Sequence, residues 1–524
     1  MAYRREFLEA SVVVAALAMT NGLTACGGGT GASDPPQAAL QQSASQASAD
    51  VFSVLAIAPG VTPFISFVEI GGSSVQDLAG VEFTIAPKPG SVSNPVHVRY
   101  SLAALSREQL SAEQGSSVLR VLESTVRVPV FGLYAGYQNQ VLVQLDFQDG
   151  STKSLPVVIT TAPYTDPNGI YDRPTILKPR AAGSALGFDF FVLKSGLESP
   201  VIVDTDGQLR WVGGAPSGTS SAVINDGFSI GSPVSPTLYH LRFDGTLTQS
   251  RLSDPRYFDF NHNIDHGKVA LFADVDANDF IEASLIETAV DGTINKEWDL
   301  ANILSSYMST QGDNASAFVR PGVDWFHMNA SAYDPADDSV IVSSRENFLI
   351  KVDYNTGSIK WILGDPTKYW YTFPSLRAKA LTLESGGLYP VGQHAVSITS
   401  DGLVMVFNDG LGSFNQPAGA SAGISRAYSA VSAYSIDPIN RTAREVWRFD
   451  YGQSIYANVC SSSYEAPGGS YLVDFATADS GADARLVGLD SEHNVVFDFR
   501  YQSPSTCSAA WNAVPIALED LSIL

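Results

Sequence analysis

Positive charge is what this sequence has least of: 31 Lys and Arg stand against 54 Asp and Glu in 524 residues, a formal net charge of −23. A phosphate backbone is gripped by clustered Lys and Arg, so this deficit excludes a nucleic-acid binder. It also excludes docking on an anionic membrane surface. Charge of either sign is scarce, at 16% of residues, which excludes a disordered polyelectrolyte. Cysteine is scarcer, with three in the chain, and a core of this size needs no disulfide staples. Histidine numbers only seven. What is abundant is apolar surface, 45% of residues, together with 44 Gly and 28 Pro. Such length and punctuation point to more than one domain and away from a mainly helical chain.

The first 25 residues read as an export signal. Arg4-Arg5 and Phe7-Leu8 precede the mild apolar run Ala10 to Met19, and Leu23-Thr24-Ala25-Cys26 follows. The order is that of a secretory leader, and the apolar run is too short to span a bilayer. The paired arginines with Phe-Leu resemble a twin-arginine signal, and Leu-Thr-Ala-Cys resembles a lipoprotein box, in which Cys26 is lipidated. Residues 26–50, rich in Gly, Ser, Ala and Gln, form a flexible tether. The expectation is an exported protein, periplasmic or at the cell surface, touching a membrane only through a lipid anchor at Cys26. Beyond Cys26 stand Cys460 and Cys507. In an oxidising compartment this even pair reads as one disulfide, with two free thiols the alternative.

The rest reads as strands in two parts. Residues 51–165 hold short alternating or β-branched runs: Val61 to Val68, Val81 to Ile85, Val96 to Leu102, Val126 to Leu133, Gln140 to Phe147 and Pro156 to Thr161. Gly, Pro, Asn and Asp punctuate them as in an antiparallel β-sandwich, and Leu105 to Leu122 has room for a short helix. A Pro- and Asp-rich linker, 166–179, marks a domain boundary. Over 180–524 a pattern repeats, in which an apolar run meets an Asp turn and a second strand follows. The turns begin near Asp204, Asp244, Asp291, Asp353, Asp437 and Asp490, at intervals of 40, 47, 62, 84 and 53 residues. Four-strand blades with insertions fit these intervals. The predicted fold is therefore all-β, a six-bladed β-propeller behind an N-terminal β-sandwich, with an array of sandwiches as the alternative.

Function belongs to the site, not the fold, and here the histidines inform. His262 lies in Phe258-Asp-Phe-Asn-His-Asn-Ile-Asp-His266, His327 and Asn329 in Asp324-Trp-Phe-His-Met-Asn, and His394 in Gly392-Gln-His. Arg345 closes the run Ser339-Val-Ile-Val-Ser-Ser-Arg. Each begins or ends a β-run, and in a propeller such positions converge on the axial channel. His97, His240 and His493 lack that placement and read as structural. No His-x-His or His-Glu-x-x-His spacing accompanies the three, and Arg345 beside them would repel a cation, so no metal is expected. An arginine beside imidazoles suits an oxyanion instead. Imidazole is also a competent nucleophile, so the set reads as group transfer from an anionic ester. Trp325, Phe326, Tyr369 and Trp370 lie near these motifs, as core or as the wall of an aryl slot.

These same residues carry a resemblance. Asp324 to Arg345, continuing through Ile350-Lys-Val-Asp-Tyr-Asn-Thr-Gly-Ser-Ile-Lys-Trp-Ile-Leu-Gly364, is similar to the bacterial aryl-sulfate sulfotransferases. So are Gly392-Gln-His394 with Phe407-Asn-Asp-Gly410, Asn261-His262-Asn-Ile, Gly132-Leu-Tyr-Ala-Gly-Tyr137 and Ile159-Thr-Thr-Ala-Pro-Tyr-Thr-Asp-Pro167. The resemblance implies an N-terminal sandwich on a six-bladed propeller, exported and often dimeric. It implies transfer of a sulfuryl group from a phenolic sulfate ester to a phenol acceptor, with neither a nucleotide donor nor a cofactor, through a sulfated histidine. By position the nucleophile is His394. His262, His327 and Arg345 bind sulfate oxygens and stabilise the transferring group, and Asn329 joins that shell. Three departures stand out: Ala330 replaces a usual serine, Asn408-Asp409-Gly410 inverts an Asp-Asn-Gly order, and His266 lies close to His262, which is chosen by motif position. The family's disulfide near the active site closes a short loop, whereas Cys460 and Cys507 are 47 residues apart. Two other readings stay open, a non-catalytic surface propeller that binds glycans or proteins, and an aryl sulfatase with water as acceptor.

Overall fold

The structure, a computed structural model, describes residues 51–104, 120–121, 124–214 and 216–524. The leader, the tether with Cys26 and most of the expected helix at Leu105 to Leu122 lie outside the described residues.

Two antiparallel sheets form the N-terminal sandwich. One runs Ser53–Pro59, Ile65–Gly71, Thr125–Phe131, Arg120–Val121, and the other Val96–Ser101, Leu78–Ile85, Gln138–Phe147, Thr152–Thr160. Gln138–Phe147 alternates exposed and buried residues, so Val141, Val143 and Leu145 face inward with Val81, Phe83 and Ile85. The expected run Val61 to Val68 is broken. Gly60 donates to the Ile65 carbonyl across a turn, and the strand begins only at Ile65.

Six sheets with a four-stranded antiparallel body follow among the described residues, and two gain a fifth strand at the outer edge: Thr382–Leu383, parallel to Thr442–Phe449, in the fifth, and Thr175–Lys178 in the sixth. We number them by sequence from sheet 1, built on Phe190–Lys194, Val201–Asp204 and Leu209–Val212 and completed by the C-terminal strand Asn512–Ile516. Sheets 2 to 6 each begin with their innermost strand: Ser221–Ile224, Tyr257–His266, Met328–Asp334, Gln393–Ile398 and Ser462–Ala466. These innermost strands pack on one another from sheet 2 to sheet 6, and that of sheet 6 packs on Asn512–Ile516. Second strands are buried on both faces between neighbouring sheets, so Ser339–Ser344 is apolar or small throughout, as is Ser470–Thr477 apart from Tyr471 and the buried Asp474. Together these sheets make a β-propeller.

The six Asp turns fall in one place, the outer hairpin of each sheet. In every case the Asp Oδ1 accepts a backbone N–H two residues on: Asp206 on Asp204 (3.1 Å), Thr246 on Asp244 (2.8 Å), Thr293 on Asp291 (2.9 Å), Asn355 on Asp353 (3.1 Å), Ile439 on Asp437 (3.0 Å) and Glu492 on Asp490 (3.0 Å). A short carboxylate that satisfies the turn's own amides is what fixes the repeat.

The chain crosses the expected boundaries twice. Thr175–Lys178, inside the presumed linker, pairs with Val495–Gln502 at the outer edge of sheet 6. Leu521–Ile523 leaves the propeller and pairs in parallel with Val96–Ser101 of the sandwich. One apolar core accordingly runs from the sandwich into sheets 1 and 2, with Phe131 stacked on Phe243 at 4.9 Å. Across the same seam buried Arg210 donates to the Gly132 carbonyl (2.7 and 3.0 Å) and pairs with Asp204 (3.0 Å).

Candidate active site

The three singled-out histidines come from adjacent sheets and meet. His262 lies on the innermost strand of sheet 3, His327 immediately precedes that of sheet 4, and His394 lies on that of sheet 5. The His262 ring is 4.6 Å from that of His327 and 6.3 Å from that of His394. All three strands break register at this point: between Phe260 and Ile264, between Met328 and Ala330, and between His394 and Ser397. Such bulges re-aim side chains out of the regular alternation. The backbone is bent as well, with positive φ at His327 (52°), Ala395 (49°) and Gly392 (59°). A Cβ at Gly392 would approach the Leu411 carbonyl to 2.6 Å. Strain held at His327 and Ala395 around one cluster is typical of a functional site. His266 is exposed at the end of its strand, so His262 is the ring that joins the cluster.

Each ring turns Nδ1 towards acid. His394 Nδ1 faces the Gly392 carbonyl (3.0 Å) and Asp409 Oδ2 (2.8 Å). Both are acceptors, so Nδ1 carries the hydrogen and Nε2 the lone pair. His327 Nδ1 faces Asp324 Oδ2 (2.5 Å) and Glu282 Oε2 (2.9 Å). Burial works against charge on this imidazole, yet Glu282 and then Asp324 outweigh it and hold the ring well above the usual histidine range. His262 Nδ1 is 3.6 Å from Glu282 Oε2 and 3.7 Å from Asp274 Oδ2. Burial, with Glu282 and Asp276 beside it, pushes the Asp274 carboxyl well up, and burial raises Glu282 to about 7. Asp409 is also raised by burial, against the pull of His394 and Arg345.

Arg345 immediately follows the second strand of sheet 4, 1% exposed, its backbone N–H bonded to the His327 carbonyl (3.0 Å). Nη1 reaches Glu346 Oε1 and the Gly412 carbonyl, both at 3.4 Å, and the Phe414 ring covers the guanidinium at 3.8 Å. Nε and Nη2 have no partner among the described residues. These two N–H groups form one edge of the fork, the edge that takes two oxygens of an oxyanion. Asn329 lies on the innermost strand of sheet 4. Its Nδ2 donates to the Gln393 carbonyl (2.8 Å), so the amide ties sheet 4 to the strand carrying His394. Gln393 Nε2 returns the link to the Ser344 carbonyl (2.6 Å).

Other expectations resolve around this centre. Trp325, Phe326 and Trp370 are fully buried in the core of sheet 4, with Tyr369 packed against it, so none lines the cluster. His97 pairs with Glu82, His240 with Asp226, and His493 stacks on Trp447. Cys460 and Cys507 form a disulfide, Cα atoms 6.4 Å apart, between the loops entering sheet 6 and the closing strand of sheet 1. Trp511 packs against that disulfide and lies 5.5 Å from the His262 ring. The carboxylates Asp274 and Glu282 carry no motif and were not read from the sequence. Asp324 and Asp409 stood inside quoted motifs without a role. These four carboxylates outnumber the three rings they surround, and one ligand atom each of His262, Glu282 and His327 lies within 4.8 Å of the others.

Residues 177–512 match the family model "Arylsulfotransferase (ASST)", and residues 111–162 match "Arylsulfotransferase Ig-like domain". The chain is 31% identical over 161 residues to arylsulfate sulfotransferase AssT of Escherichia coli O6:H1, covering 27% of this chain and 26% of that protein. It is 30% identical over 156 residues to AssT of Lelliottia amnigena, covering 26% and 25%. The aligned stretch thus spans about a quarter of each relative. Among solved structures, the β-propeller domain of Cps50 (Swd1) from Myceliophteria thermophila is 12% identical with a TM-score of 0.34, covering 64% of this chain and 90% of that one. With its central family model matched across most of the propeller, the chain belongs to the arylsulfotransferase family.

Proposed function

We propose that this protein transfers a sulfuryl group from a phenolic sulfate ester to a phenol, without a nucleotide donor, through a covalent intermediate on His394. The observation that carries the reading is the pairing of an imidazole fixed with its lone pair on Nε2 and an arginine edge with two unpartnered donors. In the first step His394 Nε2 attacks sulfur, the N–S bond forms and the S–O(aryl) bond breaks. The departing phenolate oxygen takes a proton from His327, whose carboxylate neighbours favour the protonated ring. In the second step the acceptor phenol returns a proton to His327, its oxygen attacks sulfur, and the N–S bond breaks to restore His394. Sulfuryl transfer, like phosphoryl transfer, asks mainly for positioning and charge stabilisation. The Arg345 edge and His262 supply these at the sulfate oxygens. Asn329 acts by positioning the His394 strand.

The test is 4-nitrophenyl sulfate with added phenol. Expected are nitrophenol release that depends on phenol, one added sulfuryl group by intact mass with donor alone, and loss of both in His394→Ala. Full activity in that variant overturns the mechanism. Release indifferent to phenol identifies a sulfatase with water as acceptor, and no turnover leaves a binding propeller.

Export through residues 1–25 and lipidation at Cys26 belong to the same proposal, supported by a disulfide that suits an oxidising compartment. Cys26→Ser should move the protein from the membrane to the soluble fraction. Retention in the membrane argues against the anchor.

A further inference from the structure

The carboxylates behind the rings form a set of their own. Glu282 Oε2 sits between His327 Nδ1 (2.9 Å) and His262 Nδ1 (3.6 Å), with Asp274 Oδ2 3.7 Å beyond His262 Nδ1. Two strands of sheet 3, the innermost and the third, bring His262 and Glu282 together. The second strand adds Asp274, and the loop into sheet 4 adds His327. Asp274 is 3% exposed, and neither of its oxygens accepts a hydrogen bond from any described residue. A buried carboxylate without a donor is strongly unfavourable unless it is neutralised or bound to a cation. Protons alone answer only part of this. A hydrogen on His327 Nδ1 serves Asp324 and Glu282 and brings nothing to Asp274.

We propose that His262 Nδ1, Glu282 Oε2 and His327 Nδ1, with Asp274 as a fourth oxygen, bind one divalent cation of the zinc class. Donors about 2.0–2.2 Å from such an ion stand roughly 3–3.5 Å apart; the two pairs with Glu282 are 2.9 and 3.6 Å, and all three ligand atoms lie within 4.8 Å of one another, so the rings would close slightly on an ion. Two imidazoles and carboxylate oxygen suit zinc, and magnesium or calcium would prefer oxygen alone. The cation takes the place of the Nδ1 proton. Both rings then carry their hydrogen on Nε2, and the positive charge drawn in by the carboxylates stays on the same side. Binding does not depend on the sulfotransfer reading. Only its consequence does, that with the ion bound the two rings beside the nucleophile keep one tautomer and the cation, in place of a second ring proton, would make the His327 Nε2–H the acid.

The experiment uses the full purified chain, stripped with chelator, then loaded with Zn²⁺ or Mn²⁺ and desalted. Elemental analysis should find one equivalent per chain, and the melting temperature should climb with ion concentration. Glu282→Gln and Asp274→Asn should weaken binding, the former by about 100-fold or more, with far-UV circular dichroism unchanged. His240→Ala, a surface control, should bind as the parent does. His394→Ala should keep its ion although it lacks the nucleophile, which separates failure of this site from failure of the transfer chemistry. No retained ion, no saturable binding, or binding lost in His240→Ala but intact in Glu282→Gln overturns the proposal and leaves the cluster held by protons.

Discussion

Replacing Asp409 by Asn keeps the shape beside His394 and removes one charge. In the proposed intermediate the ring holds the sulfuryl group on Nε2 and a hydrogen on Nδ1, so it is cationic, and Asp409 Oδ2 stands 2.8 Å from Nδ1. Two full charges at that separation attract by about 6 kcal/mol at an effective dielectric near 20. The ring shares its charge between two nitrogens, so about half applies, ~3 kcal/mol, or a rate loss on the order of 100-fold. The Gly392 carbonyl still accepts from Nδ1, at 3.0 Å, so the tautomer survives and the loss is that of charge alone. Stopped-flow release of nitrophenol reports the first step, and intact mass after donor alone reports the adduct. Asp409→Asn should slow the burst and lower the adduct without altering binding of the donor. A burst within about threefold of the parent would refute the charge argument, since that is under 1 kcal/mol.

Arg345→Lys keeps the charge but loses the two-donor edge, and kcat/KM should fall by roughly 10–150-fold, the worth of one charge-assisted hydrogen bond. An unchanged value would mean that the edge does not meet sulfate. The double variant Cys460→Ser with Cys507→Ser opens a 47-residue loop. Urea unfolding should show a loss of up to about 4 kcal/mol, and turnover should fall further through Trp511 and His262. Burial raises the Asp265 carboxyl to about 6, so the fold favours its protonated form and that stability is lost as pH rises through 6. Burial lowers Lys194 to about 8, so its contribution is present in base and lost as pH falls through 8. Asp265→Asn should therefore flatten the acid limb of melting temperature against pH and, by removing the charge that holds Lys194 up, shift the basic limb too; an unaltered acid limb would exclude Asp265 as its source.

What was legible in the sequence was what is local. The six Asp turns could be read because the bond that makes each one spans two residues. The histidines stood out because seven in 524 is few and three sit at strand ends. Asp274 and Glu282 could not be read so. They are two acids among 54, and their approach to His262 depends on the register of three strands and a bulge. Ser53–Pro59 was missed because an edge strand facing solvent shows no alternation. Leu521–Ile523 was missed because its partner strand lies at the other end of the chain.

Carboxylates repel a sulfate ester, and direction resolves the conflict between these acids and the proposed substrate. In each of the three rings it is Nδ1 that faces carboxylate: Asp409 at His394, Asp324 and Glu282 at His327, Asp274 and Glu282 at His262. An imidazole so placed has its negative partners on one side and presents the opposite nitrogen away from them. Proton or cation on the acid side, the effect at the far side is alike for His262 and His327, an N–H aimed outward. For His394 the same arrangement leaves a lone pair. The acids therefore do not repel the anion from a common centre. In the proposed mechanism they sort the rings into donors and one nucleophile, and the guanidinium of Arg345, capped by Phe414 on its face, supplies a fixed positive edge.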